Sequence, residues 1–542
     1  MNPLLKFLVK YFHAVVKSVK SVEELHSLVE EFPSSLYSLR KLASLDNKLF
    51  NVYSTCPKCH AIYGNLKTKL CKKVPFPARR EVNNCGCKLL KTVKKKGKTA
   101  EVPSKLYFYQ SLKSSVSMHF EREGFTDICQ HWRERSRVVP SNWMGDIYDG
   151  NMWRQLLDTN FFASPYNLAV LLNVDWFQPF SRVRDSVGVL YLTIANLPRD
   201  LRYLQENVIL LGIIPGPKEP KLHINSYLQP LVDELKEFWS GVQLTLSSGK
   251  NFIARVCLIC VSCDMPAVRK VCGFVGHQAR LGCSKCLCKF EHLPSGGLKC
   301  LPMGDFGEWN LRTLDEHRKN CEESLQCTNN SSLTKFTSSC GARFSALLNI
   351  PYFNPIRNHV IDPMHNLLLG TAKHMIDVWV KVGLLSTQSF TAIKETTSLL
   401  TCPCDVGRLP VKIGSSFSGF TADQWKLWTT VYSVIVLKGV LPDNHLRIWL
   451  LFVHACSILC CRIVRKTDLQ VAHTYIRQFS LQFLLMLMDM NFLPLTCTCI
   501  CIYMIAAKIM DQYMHFGALH TNDIMESWVR IKQIRDALKL RL

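Results

Sequence analysis

Apolar positions at the start of the chain recur every three or four residues. Leu4, Leu5, Leu8, Val9, Phe12, Val15 and Val16 follow that spacing, and EELHSLVEEF continues it. This is the period of an amphipathic helix, so residues 1–50 are expected to be helical. A polar stretch bearing lysines and cysteines runs to residue 105, and residues 106–160 mix aromatic and charged positions, which predicts a mostly helical connector. From about residue 160 the pattern changes. LAVLLNVDWF, SVGVLYLTIANL and ENVILLGIIPG are short apolar runs rich in Val, Ile and Leu, which predicts three consecutive strands. INSYLQPLVDELKEFWSGV predicts a helix, and FIARVCLICVSCD a fourth strand. Residues 290–345 cluster Ser, Asn, Thr and Gly and read as loops. Helices are expected to dominate from 362 to 482, and no internal repeat is present.

Three strands, a helix and a fourth strand follow the order of the ribonuclease-H-like fold. The expected architecture is therefore α/β with an α-helical insertion, a ribonuclease-H-like catalytic core and an N-terminal zinc-binding module. Its parts are a helical segment (1–50), a zinc-ribbon-like basic module (51–105), a helical connector (106–160), the core with a C-x-x-C loop (161–361), the helical insertion (362–482) and a tail (483–542).

Composition narrows the class. A chain of 542 residues is long enough for about three or four domains. With 48% hydrophobic and 20% charged residues it can bury a core, which excludes a disordered chain. Lys and Arg number 66 against 42 Asp and Glu, a net charge of +24. That surplus favours a polyanionic partner, because each neutralised phosphate releases a counterion. The 25 cysteines are odd in number, and the N-terminus has neither a long apolar leader nor a small-residue cleavage site. A disulfide framework and secretion are therefore not expected, and reduced cysteine pairs suggest zinc in a cytosolic or nuclear protein. The run LLMLMDMNFLPLTCTCICIYMIAAK has the composition of a membrane span, but Asp489, Asn491 and Pro494 interrupt it, so no membrane partner is expected.

Three acids carry the candidate chemistry. Asp175 and Asp264 each close a strand-like run, and Asp362 lies in VIDPMHNLLLGTAKH. Carboxylates at strand ends point into a shared cleft and repel unless a cation lies between them, which selects Mg²⁺ or Mn²⁺. Two such ions about 3.5–4 Å apart activate a water and stabilise the leaving oxygen of a phosphodiester. Asp362 and His365 form D-x-x-H, read either as a capping Asp with a packed His or as a pair that positions DNA or metal. Cys56 and Cys59 in CPKCHAIYG, with Cys71 and Cys85, are the preferred zinc set; ordinary buried cysteines are the alternative. Cys283 and Cys286 in GCSKCLCKF form a second candidate pair, which Cys288, His277 or Cys300 could join. Lys88, Lys91, Lys94, Lys95, Lys96 and Lys98 are a candidate phosphate-contacting flank, or else a solvated lysine loop.

At these residues the chain resembles the CACTA-type (En/Spm-like) DNA transposases, in the branch found in animal genomes. The strings that carry the resemblance are CPKCHAIY, DWFQPF, CDMPAVRKVCGFVGH, GCSKC, NPIRNHVIDPMHNLLLGTAKH and GFTADQWKLW, spread over roughly residues 25–482. The resemblance implies a metal-dependent core that cuts element ends and joins them to target DNA. It makes Asp175 and Asp264 the first two acids, matches Cys283 and Cys286 to the family's C-x-x-C, and matches Asp362 and His365 to its D-x-x-H. It also implies DNA as partner, a nuclear location and a homo-oligomer that brings two ends together. The family's third acid is a Glu after the helical insertion.

Here the chain departs from the pattern. Beyond about Phe483 the family-like phrases stop. Codons can be chosen so that a reading shifted by two nucleotides turns MHFGALHTNDIME into AFWCFAYERYNGI and restores neighbouring family phrases in the same frame. Residues 484–542 are therefore read as out of frame, with the missing Glu encoded across Thr521 and Asn522. Glu526 is the nearest in-frame acid and a weak substitute. The expected function is a transposon-encoded transposase, incomplete and inactive for want of its third acid. The alternative is a transposase-derived, zinc-containing DNA-binding or scaffold protein without catalysis.

Overall fold

The computed structural model describes residues 50–95, 98–135, 140–179, 185–220, 223–276, 279–289, 291–292, 299–300, 310–401, 417 and 419–489. Met1–Val52 and Tyr53–Leu542 form two units, and the expected helices of the first, at residues 1–49, lie outside the described residues. Along the described residues the elements begin with β1 (Phe50–Thr55), β2 (Ile62–Tyr63), β3 (Leu90–Lys95), β4 (Lys98–Pro103) and β5 (Leu106–Gln110). Next come α1 (Leu112–Phe120), β6 (Trp143–Met144), α2 (Asn151–Asp158), β7 (Leu168–Phe177), β8 (Val187–Ile194) and β9 (Val208–Ile214). α3 (Asn225–Ser240), β10 (Val242–Thr245), β11 (Asn251–Ala254), β12 (Val256–Val261) and α4 (Met265–Val271) complete the sheet region.

A seven-stranded sheet runs in the order β12-β7-β8-β9-β5-β1-β2. β7, β8 and β9 form an antiparallel meander, while β12 lies parallel to β7, with Val256 opposite Leu168 and Val261 opposite Leu172. The apolar runs form these strands because both faces of the sheet are covered. Leu168, Val170, Leu172 and Val174 project to the side of α3, where Leu228, Leu231, Val232 and Leu235 repeat at helical spacing. Ala169 and Leu171, with Cys257 and Ile259 of β12, project to the other side, against Trp132, Trp153, Phe161 and Phe162. The crossover from β9 through α3 to β12 also carries the β10–β11 hairpin, which the apolar pattern did not reveal.

Two expectations change. The connector expected to be mostly helical supplies β5, which pairs with β9 through Phe108 and Ile213. LYFYQ alternates, burying Tyr107 and Tyr109, and such aromatic alternation suits a pleated surface better than a helix. The Tyr107 hydroxyl donates to the Tyr227 carbonyl at 2.9 Å and that of Tyr109 to Glu234, tying β5 to α3. The stretch expected to be loops contains α5 (Leu314–Ser324) and α6 (Asn330–Cys340). Its Thr and Asn are helix caps: Thr313 accepts from the Glu316 amide, Asn329 from the Ser332 amide, and Gly341 closes α6 at φ 73°. Capping residues mimic loop composition when only composition is read.

After Val360 the chain turns helical. α7 begins as π-helix over Met364–Ala372 and continues over Lys373–Lys381; α8 (Thr387–Leu399), α9 (Ala422–Leu427), α10 (Asp443–Leu459) and α11 (Lys466–Asp489) follow. These helices bury their own core around Trp379, Trp425, Trp428, Trp449 and Phe452. Among the described residues no helix is long and apolar enough to cross a membrane. The tail from residue 490, with Glu526, lies outside the described residues.

Candidate functional site

Parallel pairing brings three acids to one end of the sheet. The Ser262 amide donates to the Leu172 carbonyl at 2.8 Å, and the Val174 amide to Cys263 Sγ at 3.1 Å. Asp175 follows Val174 within β7, and Asp264 follows Cys263, three residues past the end of β12. A third segment runs alongside β12: Val261 N–H donates to the Asn358 carbonyl (2.8 Å), and Val360 N–H to the Val261 carbonyl (3.0 Å). Two residues later the chain reaches Asp362.

Each carboxylate has a local anchor. Asp175 is buried, and its Oδ1 accepts from the Trp176 amide at 2.8 Å. Half-buried Asp264 caps α4, its Oδ1 accepting from the Ala267 amide at 2.7 Å. Buried Asp362 accepts from the Met364 amide at 2.8 Å through Oδ1, and its Oδ2 is ion-paired with His365 Nδ1. Burial works against a charged His365. The hydrogen bond and field of Asp362, then the fields of Asp264 and Asp175, outweigh it and raise the imidazole pKa. All four side chains therefore share one neighbourhood, with His365 set among three carboxylates that favour its protonated form. The donor set suits a hard dication, though its spacing is looser than a single-ion cage.

The tighter group is the cysteine set. Among the described residues, Cys56, Cys59, Cys71 and Cys85 are the group of metal-type side chains whose ligand atoms all lie within 4.8 Å of one another. Cys56 and Cys85 are 3.8 Å apart at sulfur, Cys59 and Cys71 3.4 Å. Cys56 follows β1, and its turn returns through His60 at φ 58°, whose amide donates to the Cys56 carbonyl at 3.0 Å. The second arm is held by Cys71 N–H to the Cys87 carbonyl (2.9 Å) and Gly86 N–H to the Cys71 carbonyl (3.0 Å). Burial pushes the Cys59 thiol up. At Cys71 burial acts the same way, but the Tyr63 hydroxyl and the Lys73 amide outweigh it and lower the pKa. Few apolar residues, chiefly Ala61 and Leu89, are buried with these sulfurs. Four thiols around one centre fit a tetrahedral soft-to-borderline ion such as zinc.

The second pair, Cys283 and Cys286, offers two thiols on one turn. The Lys285 and Cys286 amides point at Cys283 Sγ at 3.3 and 3.4 Å, the turn that C-x-x-C makes around an ion. Cys288 is buried nearby, yet no set of three ligands within 4.8 Å forms there among the described residues. His277 and the side chain of Cys300 lie outside them. The lysine flank is a separate two-stranded ribbon, β3 with β4. Lys88, Lys91, Lys94 and Lys98 are exposed on or beside it, and Lys95 pairs in register with Lys98. Lys96 and the Lys95 side chain lie outside the described residues.

Sequence reasoning passed over Lys270. It sits on α4, ion-pairs with Glu219 and places its Nζ 4.5 Å from the centre of the Trp176 ring, next to Asp175. A lysine six residues past a strand-end acid was the available signal.

Residues 142–302 match the family model described as transposase family tnp2. The match includes Asp175, Asp264, Cys283 and Cys286; the four-cysteine group and Asp362 lie outside it. It supports a transposase family. No curated protein matches the chain.

Proposed function

We propose that the chain is a CACTA-type (En/Spm-like) DNA transposase of the animal branch, with a ribonuclease-H-like core, that lacks its third catalytic acid. The observation that carries this is the meeting of Asp175, Asp264 and the Asp362–His365 pair at one sheet end, the first two within the tnp2 match. The strand order 3-2-1-4, with β12 parallel to β7 and a helix between the third and fourth strands, supports the core assignment. In this reading Asp175 and Asp264 hold Mg²⁺ or Mn²⁺, which supplies Lewis-acid and water-activating chemistry when bound. Asp362 serves as an accessory group, because a backbone amide and His365 already engage both its oxygens. His365, whose protonated form the three carboxylates favour, lies beside the strand that is cut. Zinc in the Cys56, Cys59, Cys71 and Cys85 centre holds β1 and the lysine ribbon in place. The protein acts in the nucleus, as a homo-oligomer that pairs two DNA ends.

A second reading has its own support. The four-cysteine group is complete while the acid cluster is loose, as in a zinc-dependent DNA-binding or scaffold protein without catalysis. The two part at the tail. The nucleotide sequence across codons 475–542 should read, in the shifted frame, through FAYERYNG. A shifted frame without such phrases removes the frame argument and leaves Glu526 as the chain's own candidate acid.

A further inference from the structure

One cavity outside the acid cluster is lined by Pro57, His60, Lys105, Pro217, Lys218, Glu219 and His223 and has a volume of about 420 Å³. Four of those side chains are lysines or histidines and one is an acid. The acid, Glu219, is already paired with Lys270. His60 and His223 stack with ring centres 6.0 Å apart, and Tyr227 holds His60 Nδ1 at 2.9 Å. Lys105 is fixed from behind, since its carbonyl accepts from the Thr55 amide at 3.0 Å. Burial first, then neighbouring cations, lower the pKa of both rings, that of His60 to about 4, so the two histidines line the cavity as neutral hydrogen-bonding groups and Lys105 and Lys218 supply its positive charge.

The cavity borders the cysteine turn and is linked to the acid cluster through one ion pair. Pro57 and His60 belong to the Cys56–Cys59 turn. Glu219 leads through Lys270 to α4, which Asp264 caps, and to Trp176, which follows Asp175. We propose that this cavity, walled by Lys105, Lys218, His60 and His223, is a phosphate-binding subsite for the nucleic-acid strand that crosses the acid cluster. The inference rests on the DNA-handling reading above. Its volume exceeds that of a lone phosphate and admits a phosphate with its sugar. Its role is to hold register: phosphate contacts fix where a strand lies without reading its sequence.

The test compares the full chain with Lys105→Ala/Lys218→Ala, and with Lys335→Ala/Lys394→Ala, which removes equal charge from exposed positions on α6 and α8. Affinity for a 30-base-pair duplex is measured by fluorescence anisotropy across a sodium chloride series. The cavity variant should lose on the order of tenfold or more in affinity and about 2 from the log–log salt slope, about one per phosphate contact. The control should change neither. Glu219→Gln should tighten binding by freeing Lys270. If the unmodified chain binds no duplex, the DNA-handling reading itself fails. If it binds but the cavity and control variants match it or each other, the subsite is overturned. Calorimetry with inorganic phosphate, giving tight binding by a chain whose DNA affinity ignores the cavity variant, would mark a free-anion site and also overturn it. Thermal melts of each variant identify any loss of fold, in which case Lys218→Ala alone, at an exposed position, carries the comparison.

Discussion

The four-cysteine centre and the acid cluster are both candidate ion sites, yet they are built in opposite ways. Cys56, Cys59, Cys71 and Cys85 come from one short stretch with almost no apolar core of its own, and their sulfurs lie within 4.8 Å of one another. Asp175, Asp264 and Asp362 come from three distant segments, aligned by a sheet that buries both faces, and they stay apart around His365. A local module without a core depends on its ion for structure. A cluster held on a rigid sheet stands without one and is open to ions that come and go.

That contrast can be broken experimentally. The largest effect is expected at the cysteines. Cys56→Ser should reduce bound zinc from about one ion per chain to near none and expose residues 50–105 to limited proteolysis; metal analysis with mapped cleavage checks both. Full zinc retention would mean that the four sulfurs are not its ligands. Asp264→Asn comes next. It should abolish Mn²⁺ binding at the acid cluster, followed by paramagnetic relaxation, while leaving the melting temperature nearly unchanged, because Asn caps a helix as well as Asp does. Asp264→Ala should lose the same binding and also about 1 kcal/mol of stability.

A smaller effect concerns pH. The folded-state pKa of His365 is raised above its ordinary 6.5. Its stabilising contribution is therefore full below that value and fades as pH rises through the raised one. Wild type should lose its stability advantage over His365→Gln across that interval, and Mn²⁺ should pull the imidazole pKa back down. NMR titration of the ring follows both, and a ring that titrates at or below 6.5 without metal contradicts the shared neighbourhood. The smallest effect is at Asn329→Ala, where loss of the α6 cap should cost about 1 kcal/mol in a denaturant melt.

The same division governs what could be read from sequence. β7, β8, β9 and β12 are legible because strands covered on both faces become unbroken apolar runs. The cysteine set is legible because its ligands lie close together in the chain. The convergence of Asp175 and Asp264 follows from their matching places at strand ends, but only the parallel register brings Asp362 to them. β5 is hidden because its five aromatic-rich residues sit among charges. α5 and α6 are hidden because Thr313, Asn329 and Gly341, read as loop residues, are their caps. The basic cavity is gathered from residues scattered between Pro57 and His223, and no spacing announces it.

The most direct test of the central claim is a supercoiled-plasmid nicking assay with Mn²⁺. It compares the chain as written with a version whose residues from 484 onward follow the shifted frame. The account predicts nicking by the restored version, abolished by Asp175→Ala, and none by the chain as written. Nicking by the chain as written that vanishes in Asp175→Ala would contradict it, and would mean that the acids already present complete the site.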